Sequence, residues 1–191
     1  MFAEGDYVFY PKGGVFQIES LSEKKIANRR ISCFDLVSSD GKTKISIPTQ
    51  NIKRVGVRAL LSTDQLDSSL EQWAPDPHIQ KLHHKNRKNR FELFRQSGKF
   101  SEMGVVIVTI HKLISIGKAT FEEKRIYEQV RKRIVDEISI TKEMSNSEGE
   151  EFLMSELDQA ILREGKSSLD SENGNETKKQ TDDSQNNEKG N

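Results

Sequence analysis

Gly5-Asp6-Tyr7-Val8-Phe9-Tyr10-Pro11-Lys12-Gly13-Gly14-Val15 decides the fold of the first third of this 191-residue chain. Short β-rich runs punctuated by glycine and proline are the pattern of a small, tightly turned sheet. Ile45-Ser46-Ile47-Pro48 and Val55-Gly56-Val57-Arg58 continue that pattern. Tyr7 to Tyr10 reads as a first strand, Val15 to Leu21 as a second and Ile31 to Val37 as a third. Asp40-Gly41 signals a hairpin of type I′, which needs positive φ at both central residues. Lys42 to Ile47 returns as a fourth strand. Pro48 stops it, and a proline that cannot donate to a ladder places this strand at an edge. Four or five strands within residues 1–60 predict a small SH3- or Tudor-like β-barrel.

The pattern changes after residue 60. Residues 61–77 read as a linker: Thr63 to Leu66 opens one helical turn, and Pro75 and Pro77 break any helix. Residues 78–164 read as a helical bundle. A basic helix runs from Pro77 to Ser97 and closes on Gly98. Met103 to Ile116 is apolar enough for a buried strand, but its length favours a central buried helix ended by Gly117. Thr120 and Glu123 form a capping box, and Ile126, Val130, Ile134 and Ile138 share one face of the helix that follows. A last helix, Glu150 to Leu162, is expected to bury Phe152, Leu153, Met154, Leu157 and Ile161. Residues 165–191 are Ser, Asn, Asp, Glu, Lys, Gln, Gly and Thr with Leu169 as the lone large apolar residue. They are expected to stay disordered, because they bury too little to offset chain entropy. The fold class is α+β in two domains with a tail.

Formal net charge is zero, but the sum hides a pattern. Residues 78–133 carry 14 basic and five acidic side chains, and residues 134–164 carry two and nine. The basic segment creates a field that attracts phosphates. The single cysteine, Cys33, allows no internal disulfide and reads as a small buried hydrophobe. The start of the chain lacks the plan of a secretory signal, so a cytoplasmic protein is expected. His78, His83, His84 and His111 lack ligand spacing, so no metal or other cofactor is expected. No carboxylates pair for acid–base work, and the chain reads as a binding module, not an enzyme.

The set of motifs resembles the CarD family (CarD/CdnL-like), small bacterial regulators that bind RNA polymerase. Gly5 to Val15, Ile47-Pro48 and Val55 to Arg58 match its first domain. Ser97-Gly98 and Ala119-Thr120-Phe121-Glu122-Glu123-Lys124-Arg125 match its helical part, so the likeness covers roughly residues 1–140. The resemblance implies that the β domain docks on the RNA polymerase β subunit. It also implies that the helical domain touches promoter DNA at the upstream edge of the melted bubble, changing open-complex lifetime. By that resemblance the polymerase contacts are Lys24, Ile45, Ser46, Ile47 and Pro48, through strand addition at the edge. Many relatives carry arginine where Ser46 stands.

For DNA, Lys81, Lys85, Arg87, Lys88, Arg90 and Arg95 crowd one helix, and Lys124, Arg125, Arg131, Lys132 and Arg133 another. Such side chains give salt-sensitive, sequence-independent affinity. The residues selected as DNA contacts are His84, Lys85, Arg87, Lys88, Lys124, Arg125 and Arg131. Many relatives wedge a tryptophan into the minor groove fourteen residues before the Gly of Ser-Gly. That count from Gly98 lands on His84 in this chain, and its one tryptophan is Trp73. Three readings stand: His84 takes a reduced role, Trp73 reaches the DNA, or there is no wedge. A second function class, a protein-only adaptor with a solvated basic face, stands beside the regulator. A monomer is expected.

Overall fold

The computed structural model describes residues 2–26 and 29–179. Five antiparallel strands open the chain: β1 (Tyr7–Tyr10), β2 (Gly14–Ile26), β3 (Arg29–Ser38), β4 (Lys44–Pro48) and β5 (Arg58–Ala59). They pair in the order β4-β3-β2-β1-β5, so β4 and β5 are the two ends of the sheet. Among the described residues, that order contains no pairing between β4 and β5 that would close the expected barrel. A 3-10 turn (Thr49–Asn51) joins β4 to β5. The β2–β3 hairpin is longer than the sequence reading gives it. The Asp40-Gly41 turn also differs from type I′. Gly41 alone takes a positive φ, +70°. Asp40 instead accepts from Ser38 Oγ at 2.6 Å and from the Lys42 N–H at 3.2 Å.

Strand side chains alternate between faces, and here both faces are covered. Val8 and Phe16 join Ile18, Phe34, Leu36, Ile47, Ile52 and Val57 in a core belonging to the sheet. Their chain neighbours Phe9 and Val15 point the other way, into the core of the helices. A register shift between Ile18 and Ser20 moves the inward set by one residue, so that Leu21 faces Phe34.

Six helices follow: α1 (Thr63–Glu71), α2 (Pro77–Lys81), α3 (His84–Ser97), α4 (Phe100–Ser115), α5 (Phe121–Thr141) and α6 (Asn146–Lys179). Residues 61–77, read as a linker, carry the nine-residue α1 with a complete capping box between Ser62 and Gln65. Leu66, Leu70 and Trp73 are buried in the helical core. The single basic helix expected from Pro77 to Ser97 is two, broken at Leu82 and His83. Asp76 caps α2 through its carboxylate, and Gly98 ends α3 with φ +70°, against Pro11. The apolar run is helix α4, buried over most of its length at the centre of the bundle. Ile126, Val130, Ile134 and Ile138 of α5 are all buried, as their spacing requires.

Helix α6 begins before the predicted Glu150 and its backbone continues to Lys179, beyond the predicted end at Leu162. It buries Leu153, Leu157 and Ala160, whereas Met154 is exposed rather than buried. Of the tail expected to be disordered, residues 180–191 lie outside the described residues. No described helix is long and apolar enough to cross a membrane.

Two arginines make the closest polar contacts between sheet and helices. The Arg58 guanidinium grips the Glu137 carboxylate of α5 at 2.6 and 2.8 Å and donates through Nε to the Gly98 carbonyl at 3.0 Å. The Arg133 guanidinium donates to the Pro11 and Lys12 carbonyls at 2.8 and 3.1 Å. Trp73 stacks on Phe100, with ring centroids 5.3 Å apart, and lies so close to Gly104 that an added Cβ would stand 2.0 Å from its Nε1.

Gly104→Ala therefore sets two effects against each other. Alanine favours a helix interior by about 1 kcal/mol, but moving a packed indole costs typically about 1–3 kcal/mol or more. The clash is with a ring held on both sides, so net destabilisation of about 2 kcal/mol is expected. Urea unfolding followed by the fluorescence of Trp73 checks it; a variant as stable as the parent contradicts this packing.

Candidate functional site

The predicted polymerase contacts fall on β4 and the strand two places in from it. Because β4 ends the sheet, one backbone edge carries no strand partner among the described residues. The side chains of β4 divide by parity. Ile47 is buried in the sheet core and Ile45 packs partly against it. The Ile47 side chain is therefore core, which leaves its backbone groups on the strand edge. Pro48 is half-buried at the strand end, opposite Cys33. Ser46 faces outward with Lys24, and both meet the Asp35 carboxylate. Lys24 Nζ donates to Asp35 at 2.6 Å, Ser22 Oγ donates at 2.6 Å, and the Ser46 hydroxyl bonds both Asp35 and Lys24. Lys24, then Ser22 and Ser46, hold the Asp35 carboxyl well below the usual carboxylate range. This edge therefore offers backbone pairing groups beside a hydrogen-bonded polar cluster, with the Lys24 charge largely balanced.

The predicted DNA contacts gather around the first turns of α3 and α5, with two exceptions. Arg87 is 7% exposed and lies beneath the surface. Its guanidinium meets the Glu123 carboxylate at 2.5 and 3.0 Å and donates to the carbonyls of Gln80, Leu82 and Lys118 at 3.3 to 3.5 Å. Glu123 is itself the third residue of the α5 capping box, accepting from the Thr120 N–H at 2.8 Å. Burial alone would push the Glu123 carboxyl up, but Arg87 and Thr120 outweigh it and hold it below its ordinary value. Arg87 thus clamps the starts of the two helices together from beneath the surface. Arg131 lies two turns along α5 from Lys124, where Glu128 and Glu150 hold it, both at 2.9 Å.

What remains exposed at the shared mouth of α3 and α5 is His84, Lys85, Lys124 and Arg125, with Lys118 beside them. Lys88 borders them, half-buried and paired with Glu122 at 3.0 Å. His83 supplies no side-chain cap to α3, and no acid stands in its first turn. Trp73, 4% exposed, is sealed inside the helical core and is not a surface wedge. Of the other arginines and lysines considered, Lys132 pairs with Asp40 at 3.2 Å and Arg133 serves the sheet–helix junction. The sequence reading missed Phe121, which is 80% exposed at the first position of α5. Among the described residues, no group of His, Cys, Asp and Glu is arranged to hold a metal ion.

Residues 2–61 match the family model of the CarD-like/TRCF RID domain. That match identifies a CarD-like/TRCF RID domain in the N-terminal region and supports a CarD-like protein. A RID domain is an RNA polymerase β-interacting domain, and the match supports a transcription-related, polymerase-binding role.

The two kinds of cation make opposite predictions. Arg87→Ala strands a buried carboxylate and is expected to cost about 3–5 kcal/mol at neutral pH, whereas Lys124→Ala should change stability by less than about 0.5 kcal/mol. Because the Glu123 carboxyl titrates lower in the folded chain, its contribution is present above the unfolded value near 4.3. That contribution is lost as the pH falls through the folded one. In Arg87→Ala burial pushes the same carboxyl up instead, so it takes up a proton on acidification and the penalty should shrink between pH 7 and pH 4, as read by urea unfolding at both. An equal penalty at the two pH values contradicts the clamp.

Proposed function

We propose that this CarD-like protein is a non-catalytic transcription regulator that binds the RNA polymerase β subunit and contacts promoter DNA at the upstream edge of the bubble, changing open-complex stability. The unpaired edge of β4 adds to a strand of the β subunit, with Lys24 and Ser46 beside the joint. Lys85, Lys124 and Arg125, bordered by His84 and Lys88, lie along phosphates and release counterions without reading bases. Strand addition holds the protein on the enzyme, and the cations then act on whatever DNA that enzyme presents. The protein works as a monomer in the cytoplasm, where the polymerase is, and needs no cofactor.

One observation carries the reading. The RID match covers the sheet, while a cluster of cations without acidic partners among the described residues stands on helices firmly joined to that sheet through Arg58 and Glu137. A second reading draws on a different observation. Arg87, Lys88 and Arg131 are balanced internally, so the free positive charge is smaller than the segment total. In that reading the helices bind a protein and the chain is an adaptor.

Two measurements decide. Purified β subunit should retain the intact chain, and Lys24→Glu, which sets a second carboxylate beside Asp35, should weaken retention by about tenfold or more. Unchanged retention contradicts the edge-strand site. In a salt titration of DNA binding, log affinity should fall by about one unit per log salt for each phosphate neutralised. The Lys124→Ala/Arg125→Ala variant should lower that slope by about two. No DNA affinity at low salt supports the adaptor.

A further inference from the structure

Phe121 is the anomaly of the surface. Phe9, Phe16, Phe34, Phe91 and Phe100 are between 0% and 8% exposed, and Phe121 is 80% exposed. Large aromatic side chains are ordinarily buried for the free energy that burial contributes. Its place is also particular. It stands at the first position of α5, three residues after Lys118 and three before Lys124. The Arg87 guanidinium, bonded to Glu123, Lys118, Leu82 and Gln80, brings residues 80–87 and 118–123 together on one rigid support. Phe121 therefore projects from a fixed base, with Lys118, Lys124 and Arg125 on its own segment and Lys85 on the facing helix. None of these four cations has an ion-pair partner among the described residues. The nearby acids, Glu122 and Glu123, are each engaged by Lys88 and Arg87.

An exposed ring on the same short segment as Lys118, Lys124 and Arg125, none ion-paired among the described residues, fits one kind of occupant: a nucleic acid with an accessible base face. Phosphates satisfy the cations and the ring stacks on a base or enters an opened step. We propose that Phe121 is the stacking residue of this surface, giving the protein a preference for junctions between paired and unpaired DNA over continuous duplex. This rests on the reading that the basic surface contacts DNA, and it adds the structural feature of the DNA that the surface selects. The cations supply affinity that depends on salt and ignores structure; the ring supplies the discrimination.

The test compares the full chain with Phe121→Ala and Phe121→Trp on two DNA molecules of equal length, one fully paired and one forked, with 2-aminopurine at the first paired position of the fork. An exposed side chain at a helix start can be truncated without unfolding the chain, which circular dichroism confirms for each variant. The parent should bind the fork more tightly than the duplex and raise 2-aminopurine fluorescence. Phe121→Ala should bind the fork about tenfold more weakly, the effect of one lost base–aromatic stack. Its duplex affinity and salt slope should stay unchanged, and Phe121→Trp should restore the fork preference. Equal fork binding by the parent and Phe121→Ala overturns the proposal even where Lys124→Ala/Arg125→Ala still lowers the salt slope, which leaves the DNA reading standing. A parent that binds neither DNA overturns both.

Discussion

One buried ion pair, Arg58 with Glu137, anchors the sheet to the helices beside the Arg133 contacts and the burial of Phe9 and Val15 in the helical core. Glu137 is fully buried and accepts two guanidinium N–H groups and the Leu61 N–H. Arg58 lies 4.3 Å above the Phe9 ring and reaches the carbonyl of Gly98. Desolvating two charges costs much of what their attraction returns, so such a pair is a weak argument for net stability. Its value here is geometric. A bidentate contact admits few orientations, and this one joins β5, the middle of α5 and the turn between α3 and α4. Removing either partner would leave a charge in the low-dielectric junction. The direction from the β4 edge to the mouth of α3 and α5 is set by this junction together with the Arg133 clamp on residues 11 and 12.

The same economy explains how the charges are divided. A net +9 over residues 78–133 reads as one electrostatic surface, but the arginines and lysines do three jobs. Arg87 holds two helix starts together, Arg131 holds α6 through Glu150, and Arg133 holds the glycine turn of the sheet. Helix α6 supplies much of the acid that balances this: Glu164 pairs with Lys112 at 2.6 Å and Asp158 meets the His111 ring at 3.2 Å. The acidic segment that follows the basic one is therefore partly its internal counterion. Among the described residues of this segment, Lys81, Lys85, Arg90, Lys118, Lys124 and Arg125 have no ion-pair partner, and Lys85, Lys118, Lys124 and Arg125 stand at or beside the shared mouth of α3 and α5, where Phe121 also stands.

Much of the fold was legible where a residue's local conformation leaves few choices. Gly98 and Gly117 end their helices with positive φ, and Thr120 with Glu123 opens α5 as a capping box should. Four-residue spacing picked the buried face of α5. Less legible was anything set by packing across the chain. Helical propensity runs on through Leu82 and His83, so the break between α2 and α3 left no local mark. The linker reading of 61–77 weighed its prolines and overlooked Ser62 to Gln65 as a second capping box, with Leu66 and Leu70 in helical register. For the site, parity within Ile45-Ser46-Ile47-Pro48 could have shown that Ile47 faces the same way as Ile45, into the core. Arg87 could not have been told from Lys85 by sequence, because what distinguishes it is Glu123, distant in the chain and already explained as a cap. Phe121 sat in plain view before Glu122 and was read as part of a motif, not as an exposed ring.

The account requires that edge strand and basic mouth engage at the same time, one on the enzyme and one on its template. Hydroxyl-radical footprinting of a polymerase–promoter open complex, with and without the protein, tests that directly. Added protection of the DNA backbone at the upstream edge of the bubble, absent when the β subunit contact is blocked, is the predicted result. A footprint unchanged by saturating protein that is nonetheless bound to the polymerase would contradict the account.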